Sequence, residues 1–472
     1  MAARVEDDPP PEAGRLPTGR LARTARVGGL VTGQGLRWAG MRTANRVRSP
    51  ERAAAARDER TATTVRELVD QLSRMRGAAM KVGQLFSMIE LDGLPAAQRD
   101  ELQAKLATLR DDVPPVPFPR LDKLIRQELG APLQRIFADF DTRAFAAASI
   151  GQVHQATTLD GDVVVVKVQY PGVAEAVESD LRNATLLLPL IRRLAPGLDV
   201  KPLLAELRER IGEELDYELE AQHQRRVQRL FRGHPFITVP RVRTDLSTRR
   251  VLVSDYVAGE RFEAVSALDQ PQRDRYGEIV FRFYFGLLYR HGIALGDPHP
   301  GNYLLCPDGR VAFLDYGLMR DVGAPRLDAE TAIALAVRED DPAALATALV
   351  AGGYIPPARA EGLDAELALT MTRAAIRWYA VPGEHRLSPD RGRHREREPG
   401  DAERDAAFRE QSGRFTLPPE TMLIRRMHAL VAVVLTRLRA SADWGAIAAE
   451  YLHGDPPATP LGQAEAAYFG SR

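Results

Sequence analysis

Two prolines make the segment Gly296-Asp297-Pro298-His299-Pro300-Gly301-Asn302 a rigid loop, because each removes a backbone donor and fixes φ. The loop carries a carboxylate and an amide five residues apart. Thirteen residues past Asn302, after the apolar run Val311-Ala312-Phe313-Leu314, comes Asp315-Tyr316-Gly317. Phosphoryl transfer needs oxygens placed in this way. One Asp orients or deprotonates the nucleophile, while an Asn and a second Asp hold Mg²⁺ on the phosphates. Two Asx-capped turns around a hairpin are the bland alternative. Three elements agreeing in order and spacing weigh against it.

A kinase arrangement also requires an upstream lysine on a strand, paired with a glutamate on a helix. Lys167 is the lone cation in the β-branched run Val163-Val164-Val165-Val166-Lys167-Val168. Alone it is weak, since a strand lysine can snorkel to solvent. Glu220 stands on the long helix that follows, although a solvated acidic face would look the same. The segment before the strand, Ala146-Ala147-Ala148-Ser149-Ile150-Gly151, is Ala-rich where a phosphate-covering loop is usually Gly-rich. Alanine reaches positive φ less freely than glycine, so its amides would meet a nucleotide differently. No Walker A sequence occurs, which excludes the P-loop class.

The elements that position these residues follow from periodicity. Thr64 and Glu67 have capping-box spacing, and Val65, Leu68, Leu72, Met75, Ala79, Val82, Phe86 and Ile89 form an apolar seam behind them. A second helix is expected over 96–110, and Pro114–Pro119 breaks the chain. A short helix to Gly130 follows. Strand 149–157, the turn Asp160-Gly161-Asp162 and strand 163–169 then form a β-hairpin. Helices are expected over 180–195 and 201–231, strands over 237–242 and 251–257, and mainly helix after Gly259, interrupted by 294–315. Residues 386–414 are a charged loop, and a last helix covers Pro419–Arg439. Helices, a small β-rich unit and a larger helical unit make an α+β, two-lobed chain.

The 472 residues suit two or three domains, and the 44% hydrophobic and 27% charged content is that of a globular protein. A formal net charge of zero gives no case for nucleic-acid binding. The single cysteine, Cys306, excludes an intrachain disulfide framework, suits a reducing compartment and reads as a small buried hydrophobe. No apolar run reaches spanning length, and the acidic, Pro-rich start is not a secretory signal. From Ala13 to Pro50 there are eight Arg and no acid, a basic arm that is either solvated or in contact with an anionic membrane surface. The basic residues comprise 59 Arg and only five Lys, and an ammonium is hardest to replace by guanidinium at a phosphate or in a tight ion pair.

Together these residues resemble the UbiB/AarF (ABC1-type) atypical kinase family over nearly the whole chain. The family's KxGQ stands here as Lys81-Val82-Gly83-Gln84, its alanine-rich loop as Ala146-Ala147-Ala148-Ser149, and its ExD as Glu214-Leu215-Asp216. Its strand lysine is Lys167, its pairing glutamate Glu220, its catalytic Asp is Asp297, and its metal residues are Asn302 and Asp315. Departures are small. Gly296 stands before Asp297 where protein kinases have Arg, Tyr316 replaces the commoner Phe, and His223 stands where Asn is frequent.

The resemblance implies a bilobal protein-kinase-like fold with a helical N-terminal extension. The expected bounds are 1–60 for a disordered basic arm, 61–112 for the KxGQ extension, 113–257 for a β-rich N-lobe and 258–472 for a helical C-lobe. It implies Mg²⁺-dependent ATP binding, with ATPase or phosphotransfer activity supporting isoprenoid quinone biosynthesis. The expected partners are ATP, a quinone-containing or anionic membrane surface and quinone-biosynthesis proteins, with no nucleic acid. The expected location is cytoplasmic, peripheral at the inner face of the membrane. Lys81 would meet Glu214 as a lid over the site, which argues against ordinary protein substrates. Adenine would meet the backbone at Tyr256 or Val257. A nucleotide-sensing scaffold with incidental hydrolysis, and a small-molecule or protein kinase, are the alternatives.

Overall fold

The structure, a computed structural model, describes residues 116–148, 150–178, 212–383, 385–387 and 410–471, with Arg52, Thr63 and Phe408. The helices expected over 64–93, 96–110 and 180–195, the basic arm, Lys81, Ser149 and most of the loop 386–414 lie outside the described residues. The chain divides into two compact units, Met1–Leu219 with Arg243–Asp255, and Glu220–Val242 with Tyr256–Arg472.

The first unit is a five-stranded antiparallel sheet against a helix. Strands β1 (Phe137–Phe140), β2 (Ala146–Ala148), β3 (Gly151–Thr158), β4 (Val163–Gln169) and β6 (Val251–Asp255) run in the order β1-β3-β4-β6, with β2 also on β3. Gly161 turns the β3–β4 hairpin at φ 88°, a conformation that L side chains avoid. Along β4 the strand period of two buries Val164, Val166 and Val168 and sends Lys167 to the opposite face. The buried valines pack with Val251 and Val253 of β6 and with Leu121, Leu124 and Ile125. Those last three share one stripe of the Phe118–Leu129 helix, which Pro119 starts and Gly130 ends at φ 72°.

Two expectations change here. The alanine-rich segment forms a short strand, with Ala146 opposite Val153 and Ala148 opposite Gly151. β4 takes one side of β3, and β1 covers only the far end of the other, so the near end needs a partner for its amides. Within 212–231 the expected helix is broken at Leu215-Asp216 and restarts as Tyr217–Leu230. The Asp216 carboxylate accepts from the Glu218 and Leu219 amides, which is N-cap chemistry and competes with a continuous helix.

The second unit is built on the helix Gln270–His291, capped by Asp269 at its start and by Gly292 (φ 65°) at its end. It carries the buried Ile279, Phe281, Phe283, Phe285 and Leu287, so it is apolar nearly all round and lies in the core. Four short strands follow: β7 (Ile293–Leu295), β8 (Tyr303–Leu305), β9 (Val311–Phe313) and β10 (Met319–Asp321). β8 pairs with β9, β7 with β10, and β9 pairs in parallel with β5 (Ile237–Thr238), which is shorter than the expected 237–242. Pro240, which cannot donate, lies just past its end. Helices including Ala324–Glu339, Ala365–Ala380, Pro419–Leu438, Trp444–Leu452 and Pro460–Gly470 complete the unit. No helix among the described residues is long and apolar enough to cross a membrane.

Candidate active site

In the first unit, Lys167 lies between Val153 of β3 and Leu252 of β6. Its ammonium is 4.9 Å from the ring centroid of buried Tyr217, a cation–π contact that no sequence pattern announced. Tyr217 opens the helix that carries Glu220, and its own amide donates to the Arg249 carbonyl at 3.0 Å. Buried Gln169, two residues past the lysine, donates to the carbonyls of Leu215 (3.0 Å) and Arg249 (3.3 Å). The Glu214-Leu215-Asp216 turn is thereby tied to the end of the lysine strand. Glu214 is half-buried beside it. Gly151 closes the same region, since a Cβ there would lie 2.2 Å from the Val168 carbonyl oxygen.

In the second unit the pairing of β7 with β10 and of β8 with β9 brings the two chemically interesting loops together. The Gly296 amide donates to the Leu318 carbonyl at 2.9 Å, and the Leu314 amide to the Asn302 carbonyl at 3.0 Å. Asn302 is therefore bridged to the residue adjoining Asp315. Its side-chain NH₂ donates to the Asp297 carbonyl at 3.3 Å, and Asp315 Oδ1 accepts the Gly317 amide at 2.9 Å. A Cβ on Gly317 would be 3.4 Å from Asp315 Oδ1 and 4.0 Å from Glu220 Oε2, so both carboxylates border this glycine. Glu220 is 4% exposed. His223, one turn further along the helix, contacts the Tyr316 carbonyl through Nδ1 at 3.0 Å. A carbonyl can only accept, so Nδ1 carries the proton.

Buried tyrosines pack with the loops. Tyr303 donates to Tyr284 at 3.0 Å, and Phe313 stacks on Phe283 with centroids 3.6 Å apart. Burial pushes the Tyr284 phenol well above its ordinary range, and the charges of Asp297 and Asp315 push it further the same way. Arg426, from the Pro419–Leu438 helix, donates to the Gly296 carbonyl (2.8 Å) and to Asp297 Oδ1 (3.2 Å). Sequence reading missed this contact. Its one available signal was the glycine standing where a kinase loop carries arginine.

The second unit thus holds Asp297, Asn302, Asp315 and Glu220 in one neighbourhood, while Lys167, Glu214 and Ala146–Ala148 belong to the first. The boundary between the units falls between Asp255 and Tyr256. Tyr256 and Val257 are half-buried there, just past the end of β6. Cys306 is buried as expected, and burial raises its thiol pKa.

A β-rich unit with a strand lysine, and a helical unit with Asp-x4-Asn and Asp-x-Gly on neighbouring loops, define a protein-kinase-like fold. The model of the ABC1 atypical kinase-like domain matches residues 108–348, and the chain belongs to this atypical kinase family. The chain is similar to the atypical kinase COQ8B, mitochondrial, of Rattus norvegicus, at 31% identity over 69% of this chain and 62% of that protein. It is similar to the atypical kinase COQ8, mitochondrial, of Saccharomyces cerevisiae, at 30% identity over 65% of this chain and 60% of the other. A chloroplastic ACTIVITY OF BC1 COMPLEX KINASE 8 of Arabidopsis thaliana is 31% identical over 61% of this chain and 38% of its own length. The chain therefore spans less than two thirds of each of these relatives. Among solved structures, the Rv3197–erythromycin complex from Mycobacterium tuberculosis has a TM-score of 0.59 at 27% identity, covering 85% of this chain and 98% of that one.

Proposed function

We propose that this chain is an ATP-dependent phosphotransferase or ATPase that supports isoprenoid quinone biosynthesis as a peripheral protein at a membrane surface. The carrying observation is the meeting of Asp297, Asn302 and Asp315 on two loops bridged by the Leu314–Asn302 hydrogen bond. Asn302 uses its NH₂ on the Asp297 carbonyl, so its oxygen is the atom it can offer a cation. Asp315 holds the Gly317 amide with one oxygen and retains a second. Two hard oxygen donors fit Mg²⁺, which keeps waters and takes substrate phosphates as its other ligands. When bound there, the ion would offset the negative charge of the triphosphate.

The chain's own groups supply the rest. Asp297 orients the acceptor hydroxyl or water and takes its proton as the new bond to the γ-phosphorus forms. The bond from that phosphorus to the bridging oxygen breaks, and ADP leaves with the electron pair. Lys167 holds the α and β phosphates and pairs with Glu220. Ala146, Ala147, Ala148 and Ser149 cover the nucleotide, and adenine meets the backbone at Tyr256 or Val257. Lys81 meets Glu214 as the lid. The quinone and membrane assignments rest on the family resemblance alone.

The test is ATP turnover by the purified chain, with and without liposomes and candidate quinone-precursor acceptors, beside Asp315→Asn. Expected is a loss of at least roughly 100-fold in kcat for the variant. Equal hydrolysis by the two would overturn the metal assignment. Mg-ATP binding without turnover in the wild type would leave a nucleotide-sensing scaffold, and no binding at all would remove the catalytic reading.

A further inference from the structure

In the protein-kinase catalytic loop H-R-D, an arginine stands immediately before the catalytic aspartate. Here that position is Gly296, and the structure shows why no side chain fits. A Cβ at 296 would lie 2.2 Å from Leu423 Cδ1 and 2.5 Å from Leu318 Cδ2. The space is filled from the Pro419–Leu438 helix. Leu423 and Arg426 are three apart on that helix and share a face. While Leu423 occupies the space at 296, Arg426 reaches the two functional groups beside it. Its Nε donates to the Gly296 carbonyl at 2.8 Å and its Nη2 to Asp297 Oδ1 at 3.2 Å.

The geometry points to Arg426 as the positioning residue of Asp297, an arginine supplied by a distant helix beside a loop that carries glycine at 296. This inference rests on the proposed phosphotransfer reading. One planar guanidinium spans a backbone carbonyl and the carboxylate of the next residue, so it fixes the Asp297 side chain relative to its own main chain. A flexible ammonium cannot hold both points in one plane. The Asn302 NH₂ holds the Asp297 carbonyl from the other side at 3.3 Å. The aspartate is therefore held on both flanking carbonyls and on Oδ1. The arginine side chain is 10% exposed and the aspartate 28%, so solvent keeps access to the carboxylate but little to its clamp. The competing explanation is an ordinary ion pair that only anchors the helix to the loop.

Arg426→Gln, Arg426→Lys, Asp297→Asn and the double variant Arg426→Gln/Asp297→Asn separate the two. The readouts are kcat and KM for Mg-ATP hydrolysis by the full chain, with the thermal midpoint measured without nucleotide. Positioning lowers kcat of Arg426→Gln by roughly 30- to 100-fold, within the range of general-base effects. KM stays within about twofold and the midpoint within about 2 °C, as expected for a partly exposed pair. Arg426→Lys recovers only part of kcat. On the Asp297→Asn background, Arg426→Gln costs less than about threefold more, because the two act as a unit.

Wild-type kcat in Arg426→Gln would overturn the inference. So would a rate loss tracking a fallen midpoint and a raised KM, full recovery by lysine, or multiplicative loss in the double variant. Absence of turnover in the wild type would remove the phosphotransfer reading, and this inference with it. An active wild type with an equally active Arg426→Gln removes this inference alone.

Discussion

His223 Nδ1–H donates to the carbonyl of Tyr316 at 3.0 Å, so the helix that carries Glu220 also holds the Asp315-Tyr316-Gly317 turn. The imidazole N–H is thereby the donor that this helix gives to the turn. Replacing it with alanine leaves the Tyr316 carbonyl without this donor. His223→Ala should lose about 1–3 kcal/mol of stability, and His223→Gln, which keeps an N–H, distinctly less. Urea midpoints decide; an alanine variant as stable as wild type would refute the assignment.

Two glycines exclude side chains for different reasons. At Gly151 a Cβ meets the Val168 backbone oxygen at 2.2 Å, while at Gly296 it meets the side chains of Leu423 and Leu318. Leucines can change rotamer, but a strand carbonyl cannot move without breaking its ladder. Gly296→Ala should cost about 1–3 kcal/mol by overpacking, and Gly151→Ala more. The reverse order in a denaturation series would count against this reading.

Arg282 is fully buried and bonds Glu278, Glu450, Glu465 and Thr459. It joins the Gln270–His291 helix to the Trp444–Leu452 and Pro460–Gly470 helices. Arg282→Met removes the cation that three carboxylates share; Glu465 keeps Arg290 at 3.3 Å, while Glu450 and Glu278 lose their ion-pair partner in this cluster. The expected loss is about 3–5 kcal/mol, the range for breaking one side of a buried ion cluster. Chemical denaturation measures it, and a loss under about 1 kcal/mol would show that the carboxylates relax to solvent.

Acid should destabilise the second unit before most carboxylates titrate. Burial, helped by the charges of Arg290 and Arg226, lowers His291 from 6.5 to about 4. Burial and Arg425 push His428 down as well. A depressed histidine is neutral when folded and takes a proton when unfolded. Its contribution is therefore complete above pH 6.5 and declines as the pH falls toward about 4, where folded His291 titrates too. The thermal midpoint should fall between those limits, and His291→Asn should flatten that slope. An unchanged slope would exclude His291 as a cause.

Much of this was readable locally. The alternation over 149–157, the Val-rich run 163–169 and Asp160-Gly161-Asp162 set the β3–β4 hairpin, and the proline-locked loop with its downstream Asp-Tyr-Gly marked the candidate site. These signals lie within a few residues of what they specify. The break at Leu215-Asp216 was hidden because the helical pattern continues on both sides, and only the Asp216 cap interrupts it. The contact of Arg426 with Asp297 spans 129 positions, and that of Arg282 with Glu465 spans 183. In a chain of 59 arginines nothing local marks those two as buried or engaged. Long-range polar contacts leave no periodic trace, so tertiary structure is their first evidence.

The guanidinium beside Asp297 also sets an order of events during synthesis. A nascent chain made as far as residue 418 already includes Glu220, Asp297, Asn302 and Asp315, but not the helix that begins at Pro419. Ribosomes that stall or terminate before that helix would release polypeptides carrying every acidic group of the site and none of its clamp. On the clamp reading, competence would then wait for the Pro419–Leu438 helix to emerge.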